Sequence, residues 1–314
     1  MLLENKHLKK KKLLLFVILS VVFSTVFTYY YFLYTNEYEQ GSFSKISKYQ
    51  ADKVFQTRLL ITEIANHLTF LVPILKNMFQ WAVPYPINYE VILQIINIFF
   101  LNIIILSIPS LMKIIGYEIR NWISLLFLIP LSWNYIIING MIDGAGLYYP
   151  YDIPSIAFFS AGILLFYKRN WTVFYLVYIL ALLNRESTCF ISISCFILFF
   201  RHDKSFNFLD SYHGNKEIIY HIILQAMLWI ASRVILSFLF RNNPGEFFEE
   251  PHSMIEFIIC IFTKEKHWAM ENPIWFITLF MGIWIFPLIL FSKMSIMSKK
   301  FLVVGLIYLV TLYF

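Results

Sequence analysis

Uncharged apolar runs alternate with short charged connections along most of this chain, and the run lengths predict membrane helices. The first run, Leu13 to Tyr34, follows the basic stretch MLLENKHLKKKK and carries no Asp, Glu, Lys or Arg. It is long enough to cross a hydrocarbon core, which takes about 20 residues at ~1.5 Å each. No small-x-small cleavage site follows it, so it predicts a retained signal anchor rather than a cleaved leader. Val91–Ile115, Trp122–Asn139 (kinked at Pro130), Ile153–Tyr167, Ile218–Phe240 and Pro273–Phe291 read as further spans. Trp171–Leu183 and Thr188–Phe200 are shorter, about 13 residues or ~20 Å of helix against a ~30 Å core. The turn Asn184-Arg185-Glu186-Ser187 between them is therefore expected in a wet recess, because irregular backbone at membrane depth needs protein or water beside it. Phe301–Phe314 begins a ninth span and stops early, which reads as a chain truncated at its C-terminus.

Two longer segments break the pattern. In the first outer segment, residues 35–90, Leu60, Ile64, Leu68, Leu71 and Leu75 recur at three- and four-residue steps. Arg58, Glu63, Asn66, His67 and Lys76 lie among them. That spacing predicts an amphipathic helix parallel to the membrane or packed on the bundle, broken near Pro73. A weakly apolar spanning helix is the competing reading. Trp81, Tyr85 and Tyr89, around Pro84 and Pro86, suit an interfacial belt. Residues 241–272 form a second outer segment, with a short interfacial helix over Met254–Phe262. Residues 1–314 read as a single integral membrane domain.

Charge placement orients these spans. Lys6, Lys9, Lys10, Lys11 and Lys12 hold the N-terminus in the cytoplasm. The inner connections carry Lys113, Arg120, Lys168, Arg169, Arg201, Lys204, Lys216, Lys293, Lys299 and Lys300, whereas the short outer loop 140–152 has no Lys or Arg. Composition agrees: 59% of residues are apolar and 14% charged, with a mean hydropathy of +0.67. A soluble domain carries about 45–50% and about 25%. The expected architecture is an all-α polytopic bundle of about eight or nine spans in the inner (plasma) membrane, with the lipid bilayer as its main partner. The net charge of +6 resides largely in those connections and is no signal for nucleic acid. Cys189, Cys195 and Cys260 sit in apolar runs without metal or redox spacing and read as packing residues.

With that orientation the remaining charges fall on the outer side: Glu37 and Glu39 in NEYEQ, Arg58 in FQTRLL, and Asp143 and Asp152 flanking a Gly-Tyr-Pro loop. Arg185 and Glu186 fall there too, and so do Glu246, Glu249 and Glu250. Ionisable groups near membrane depth are costly and face a bundle interior or a pathway. Asp152, before Ile153-Pro154, is a helix cap that could also line a site. Asp143 is a turn residue or a catalyst. Glu37 and Glu39 suit a solvated interface, a divalent cation, or a general base. Arg185 and Glu186 form either a buried structural pair or a ligand-binding pair in which Glu186 orients Arg185. Arg58 and Arg185 have the planar fork that holds phosphate. There is no P-loop, G-x-S-x-G or H-E-x-x-H, which disfavours soluble ATP-, hydrolase- and zincin-type sites. Both ends of Asn139–Ser187 are thus expected on the outer face, sharing one cavity, with Lys168-Arg169 between them on the cytoplasmic side.

An N-in helix followed by a large outer segment with acidic residues (Glu37, Glu39) and membrane-parallel helices (54–79) resembles the GT-C-type polytopic membrane glycosyltransferases and related bacterial integral membrane proteins. FQTRLL, YYPYDIPSIAF and LALLNRES also resemble short motifs of that group, and the likeness covers most of residues 1–200. The resemblance implies a polyprenyl-phosphate or polyprenyl-diphosphate sugar donor and an outer-loop acid acting as base or metal ligand. This chain has E-x-E where many members have Asp, and no stretch of residues 1–314 reads as the soluble C-terminal domain expected of such members. The expected activity is transfer of a sugar from a lipid-linked donor to an envelope glycan or lipid. Arg58 and Arg185 would hold phosphate, and Asp143, Asp152, Glu39 or Glu37 would serve as base. A transporter or flippase of an anionic or lipid-linked substrate, or an envelope polysaccharide polymerase, is the alternative.

Overall fold

A computed structural model describes residues 2–79, 88–142, 146–200, 208–246 and 289–313. The described residues are all-α in class, about 81% helical. The order is α1 (Leu2–Tyr34), a two-residue strand β1 (Asn36–Glu37), then four short helices α2 (Phe43–Ser47), α3 (Lys53–Gln56), α4 (Leu59–Leu68) and α5 (Leu71–Phe79). The long α6 (Tyr89–Ile114) follows, then α7 (Leu128–Ser132), flanked by a 3-10 turn at Asn121–Phe127 and a wide π-type coil at Trp133–Ile142. Strand β2 (Leu147–Tyr148) precedes α8 (Asp152–Tyr167), α9 (Trp171–Asn184), α10 (Cys189–Phe199), α11 (Phe208–Leu239) and α12 (Ile296–Tyr313).

Among the described residues four helical segments are long and apolar enough to cross a membrane: 10–34, 89–114, 121–138 and 215–239. A fifth is added if α4 and α5, bent by 60°, count as one broken span. The eight or nine expected spans outnumber these. The difference lies in α8, α9 and α10, which are apolar but short, in Phe301–Phe314, which except for its last residue falls within α12 and is not among the four, and in Pro273–Phe291, most of which is outside the described residues, as are Trp81, Tyr85 and Met254–Phe262. The break in the amphipathic stretch falls at Thr69–Phe70, ahead of Pro73 rather than at it. Pro73 sits in the first turn of α5, where a backbone N–H has no helical partner, so the ring costs no hydrogen bond. Pro130 lies inside the expected span Trp122–Asn139, and the backbone passes from 3-10 to α to π geometry between Asn121 and Ile142, so the departure from a straight helix is spread along the segment.

The core runs through α1, α6, α8 and α9, with Phe27, Leu101, Ile104, Ile153, Phe174 and Tyr178 buried in one cluster. On α1 the buried face carries Ser20, Ser24 and Thr28 at four-residue steps. Ser20 Oγ donates to Asn102 Oδ1 of α6 at 2.6 Å. Small polar residues let two apolar helices approach closely and tie them by hydrogen bonds. Gly162 does the same for α8: a Cβ there would stand 3.1 Å from Ile191 Cγ2 of α10. Gly162→Leu is expected to lower stability by about 1–3 kcal/mol through overpacking, measured by unfolding in mixed micelles, with Gly162→Ala costing less. An unchanged Leu variant would mean that α8 and α10 are free to separate.

The helices sort their charges to opposite ends. At one end Lys300 Nζ donates to the carbonyls of Leu198 and Phe200, and Arg169 pairs with Glu217 at 2.8 Å. At the other, β1 pairs in parallel with β2 (Asn36 with Leu147, Glu37 with Tyr148). The segment after α11 docks there too: Asn243 Nδ2 donates to the carbonyls of Tyr49 and Ala51.

Candidate functional site

At this second end four elements contribute to one charged cluster. Arg58, the residue before α4, is 1% exposed. Its Nε donates to Glu186 Oε2 at 3.0 Å, its Nη2 donates to the other carboxylate oxygen, and its Nη1 donates to Tyr151 Oη at 2.7 Å. This is the bidentate fork-on-carboxylate arrangement, between residues 128 positions apart. Arg185 Nη1 donates to Asp152 Oδ1 at 2.6 Å, and both side chains are mostly buried. The two guanidiniums share an aromatic plate: the Arg58 and Arg185 carbons lie 4.7 and 5.5 Å from the Tyr151 ring centroid.

Local backbone geometry explains the pairing. Arg185 caps α9 in an extended conformation (φ −160°, ψ 147°), and successive side chains of extended backbone point to opposite sides. Arg185 and Glu186 therefore diverge, so Glu186 orients Arg58 and not its sequence neighbour. Thr188 Oγ1 closes the turn by donating to the carbonyls of Ala181 and Arg185, and Asn184 Nδ2 donates to Tyr151 O and Ser155 Oγ. Asn184 Oδ1 is buried without a partner among the described residues and lines a cavity of about 10 Å³ with Ser155, Ser187 and Thr188, room for one water molecule. Burial pushes the Glu186 pKa up, but the charge and hydrogen bonds of Arg58, with Arg185, outweigh it and bring it down to about 2.

The expected site residues separate in this frame. Asp152, Arg58, Arg185 and Glu186 meet, joined as two ion pairs, Arg58 with Glu186 and Arg185 with Asp152. Glu37 reaches the same end through the β1–β2 pairing. Its carboxylate accepts from the Phe43 amide and from Tyr89 Oη, the latter at 2.8 Å. Burial raises its pKa above the ordinary carboxylate value against those two hydrogen bonds. Glu39 is exposed, with Lys45 3.8 Å away. Asp143 lies outside the described residues, as do Glu249 and Glu250. No group of three His, Cys, Asp or Glu among the described residues is placed to hold a metal ion.

Three participants were not singled out from sequence. Tyr151 sits between the arginines, and the aromatic run Tyr148-Tyr149-Pro150-Tyr151 beside Asp152 was the available signal. Trp229 Nε1 donates to Glu186 O at 2.8 Å. Arg233, a single charge in an otherwise apolar stretch, is 5% exposed and donates through Nη2 to Leu182 O. No protein-family model, curated protein or solved structure matches this chain.

Proposed function

We propose that this chain is a cell-envelope transferase of the inner (plasma) membrane. It moves a sugar from a polyprenyl-phosphate-type donor to a glycan or lipid acceptor at the outer end of the bundle, with the N-terminus cytoplasmic. The observation that carries this reading is the gathering of three guanidiniums (Arg58, Arg185, Arg233) with Asp152 and Glu186 at one end of an apolar bundle, the end that also holds Glu37. Arginine forks suit a phosphate, and a donor outside the membrane must arrive on a lipid. Glu37 is the acid best suited to act as base, since a carboxylate raised by burial takes a proton more readily. It would accept the proton of the acceptor hydroxyl as that oxygen attacks the sugar carbon. The lipid phosphate then departs with the bonding pair, its charge met by guanidinium. Asp152, held by Arg185, serves to position that arginine.

Reconstituted full-length chain given radiolabelled polyprenyl-phosphate sugars and a glycan acceptor is expected to transfer label. Arg185→Ala and Asp152→Asn should slow transfer by about tenfold or more. A second reading, a flippase of the same lipid, is favoured by one fact: both cluster carboxylates are already engaged by arginines. Movement of labelled lipid across the bilayer with no transfer of sugar would overturn the transferase and establish the flippase.

A further inference from the structure

Beside the charged cluster, an apolar groove of about 500 Å³ runs between α10 and α11. Tyr178, Cys189, Phe196, Ala226, Trp229 and Ile230 line it. Phe196 and Ile230 are exposed, and so are Ile223, Met227 and Val234 along α11, which is one of the helices long and apolar enough to cross a membrane. The groove is therefore bordered by exposed apolar side chains of a helix able to cross a membrane. An apolar slot in that position is filled by a hydrocarbon chain, because the alternative is a void without dispersion partners. Trp229 marks its charged end: the ring lines the groove while its Nε1 holds Glu186 O.

Arg233 lies one turn beyond Trp229, and about 9 Å of helix before the end of α11. Its only described hydrogen-bond partners are neutral, Leu182 O and, at 3.4 Å, Ser232 Oγ. Nη1 makes no hydrogen bond among the described residues. Glu186, the nearest carboxylate in the cluster, is already held bidentately by Arg58. A guanidinium in a membrane-spanning segment is costly unless an anion meets it. The described cluster holds three guanidiniums against two carboxylates, one positive charge in excess.

The geometry points to a binding site for a lipid that carries a phosphate, its chain in the α10–α11 groove and its headgroup on Arg233. This deepens the transferase reading and rests on it for the identity of the lipid as donor. Arg58 and Arg185, held by Glu186 and Asp152, then frame the cluster beside which Arg233 meets the phosphate.

Brominated lipids quench nearby indole fluorescence, so Trp229 reports on the groove. Full-length chain is placed in phosphatidylcholine vesicles doped with dibrominated phosphatidic acid or with dibrominated phosphatidylcholine. The Trp229 signal is the difference from Trp229→Phe. Half-maximal quenching is expected at about tenfold lower mole fraction of the phosphatidic acid, the preference given by one charge-assisted contact. Arg233→Gln should erase that preference and Arg233→Lys should keep most of it. Ala226→Phe, which fills the groove and leaves Arg233 in place, should remove quenching by both lipids. Equal quenching by the two lipids in the unaltered chain overturns the proposal, whatever the variants do. So does inorganic phosphate erasing the preference, which would make the ligand a free anion. Sugar transfer without lipid preference would leave the transferase standing and sink this site. Preference without transfer would do the reverse.

Discussion

Arg58→Gln is expected to lower the unfolding free energy by about 3–5 kcal/mol, the cost of leaving one member of a buried ion pair uncompensated. Arg58 is 1% exposed, and its fork holds both oxygens of Glu186 and the Tyr151 hydroxyl. The neutral amide cannot reproduce that fork, so Glu186 loses its principal counter-ion and burial pushes its carboxyl back up toward the protonated form. Glu186→Gln should cost a comparable amount from the other side. The double substitution Arg58→Met with Glu186→Leu should recover most of the loss, because removing both charges also removes both desolvation costs. Denaturant-driven unfolding in mixed micelles measures all three, and the cycle gives the coupling. A loss below about 1 kcal/mol for Arg58→Gln would place the pair in the class of solvated surface bridges, and the cluster would then not hold the first outer segment to the bundle.

Tyr151→Leu is expected to cost nearly as much, about 3–5 kcal/mol, in the range of truncating a large buried aromatic. Two guanidiniums that repel each other share this ring, at 4.7 and 5.5 Å from its centroid. A desolvated cation–π contact is worth about 2 kcal/mol. Leucine keeps apolar bulk but neither the face nor the hydroxyl that Arg58 Nη1 reaches. Tyr151→Phe separates the two contributions: it retains the faces and loses one hydrogen bond, for about 1–3 kcal/mol. The same unfolding measurement distinguishes them. If Phe and Leu variants are equally destabilised, the ring faces contribute nothing and the hydroxyl alone matters.

How much of this was legible beforehand varies by element. α6 was readable to within two residues, as Val91–Ile115 against Tyr89–Ile114, because an apolar run bounded by polar residues has few alternatives. Arg58, Asp152, Arg185 and Glu186 were singled out because charge amid apolar sequence is costly wherever it lies. Their pairing was not legible. Adjacency suggested Arg185 with Glu186, whereas an extended cap residue turned them apart and gave each a distant partner. The two-residue strands that carry Glu37 to Tyr148 have no periodicity to read at all. Arg233 was visible as a charge within a span, but nothing local says which helix end it will face.

By itself the sequence determined which stretches are long and apolar enough to cross a membrane. Run length and hydropathy are sums over neighbours in the chain, and so is the gathering of Lys and Arg in certain connections; no folding is needed to evaluate them. The tertiary structure alone decided which charges pair with which, and that an apolar groove runs up to Trp229 with Arg233 one turn beyond. Those facts depend on helices brought together across 128 residues of chain between Arg58 and Glu186. Contacts at such separation are set by packing of whole faces, which no local pattern encodes.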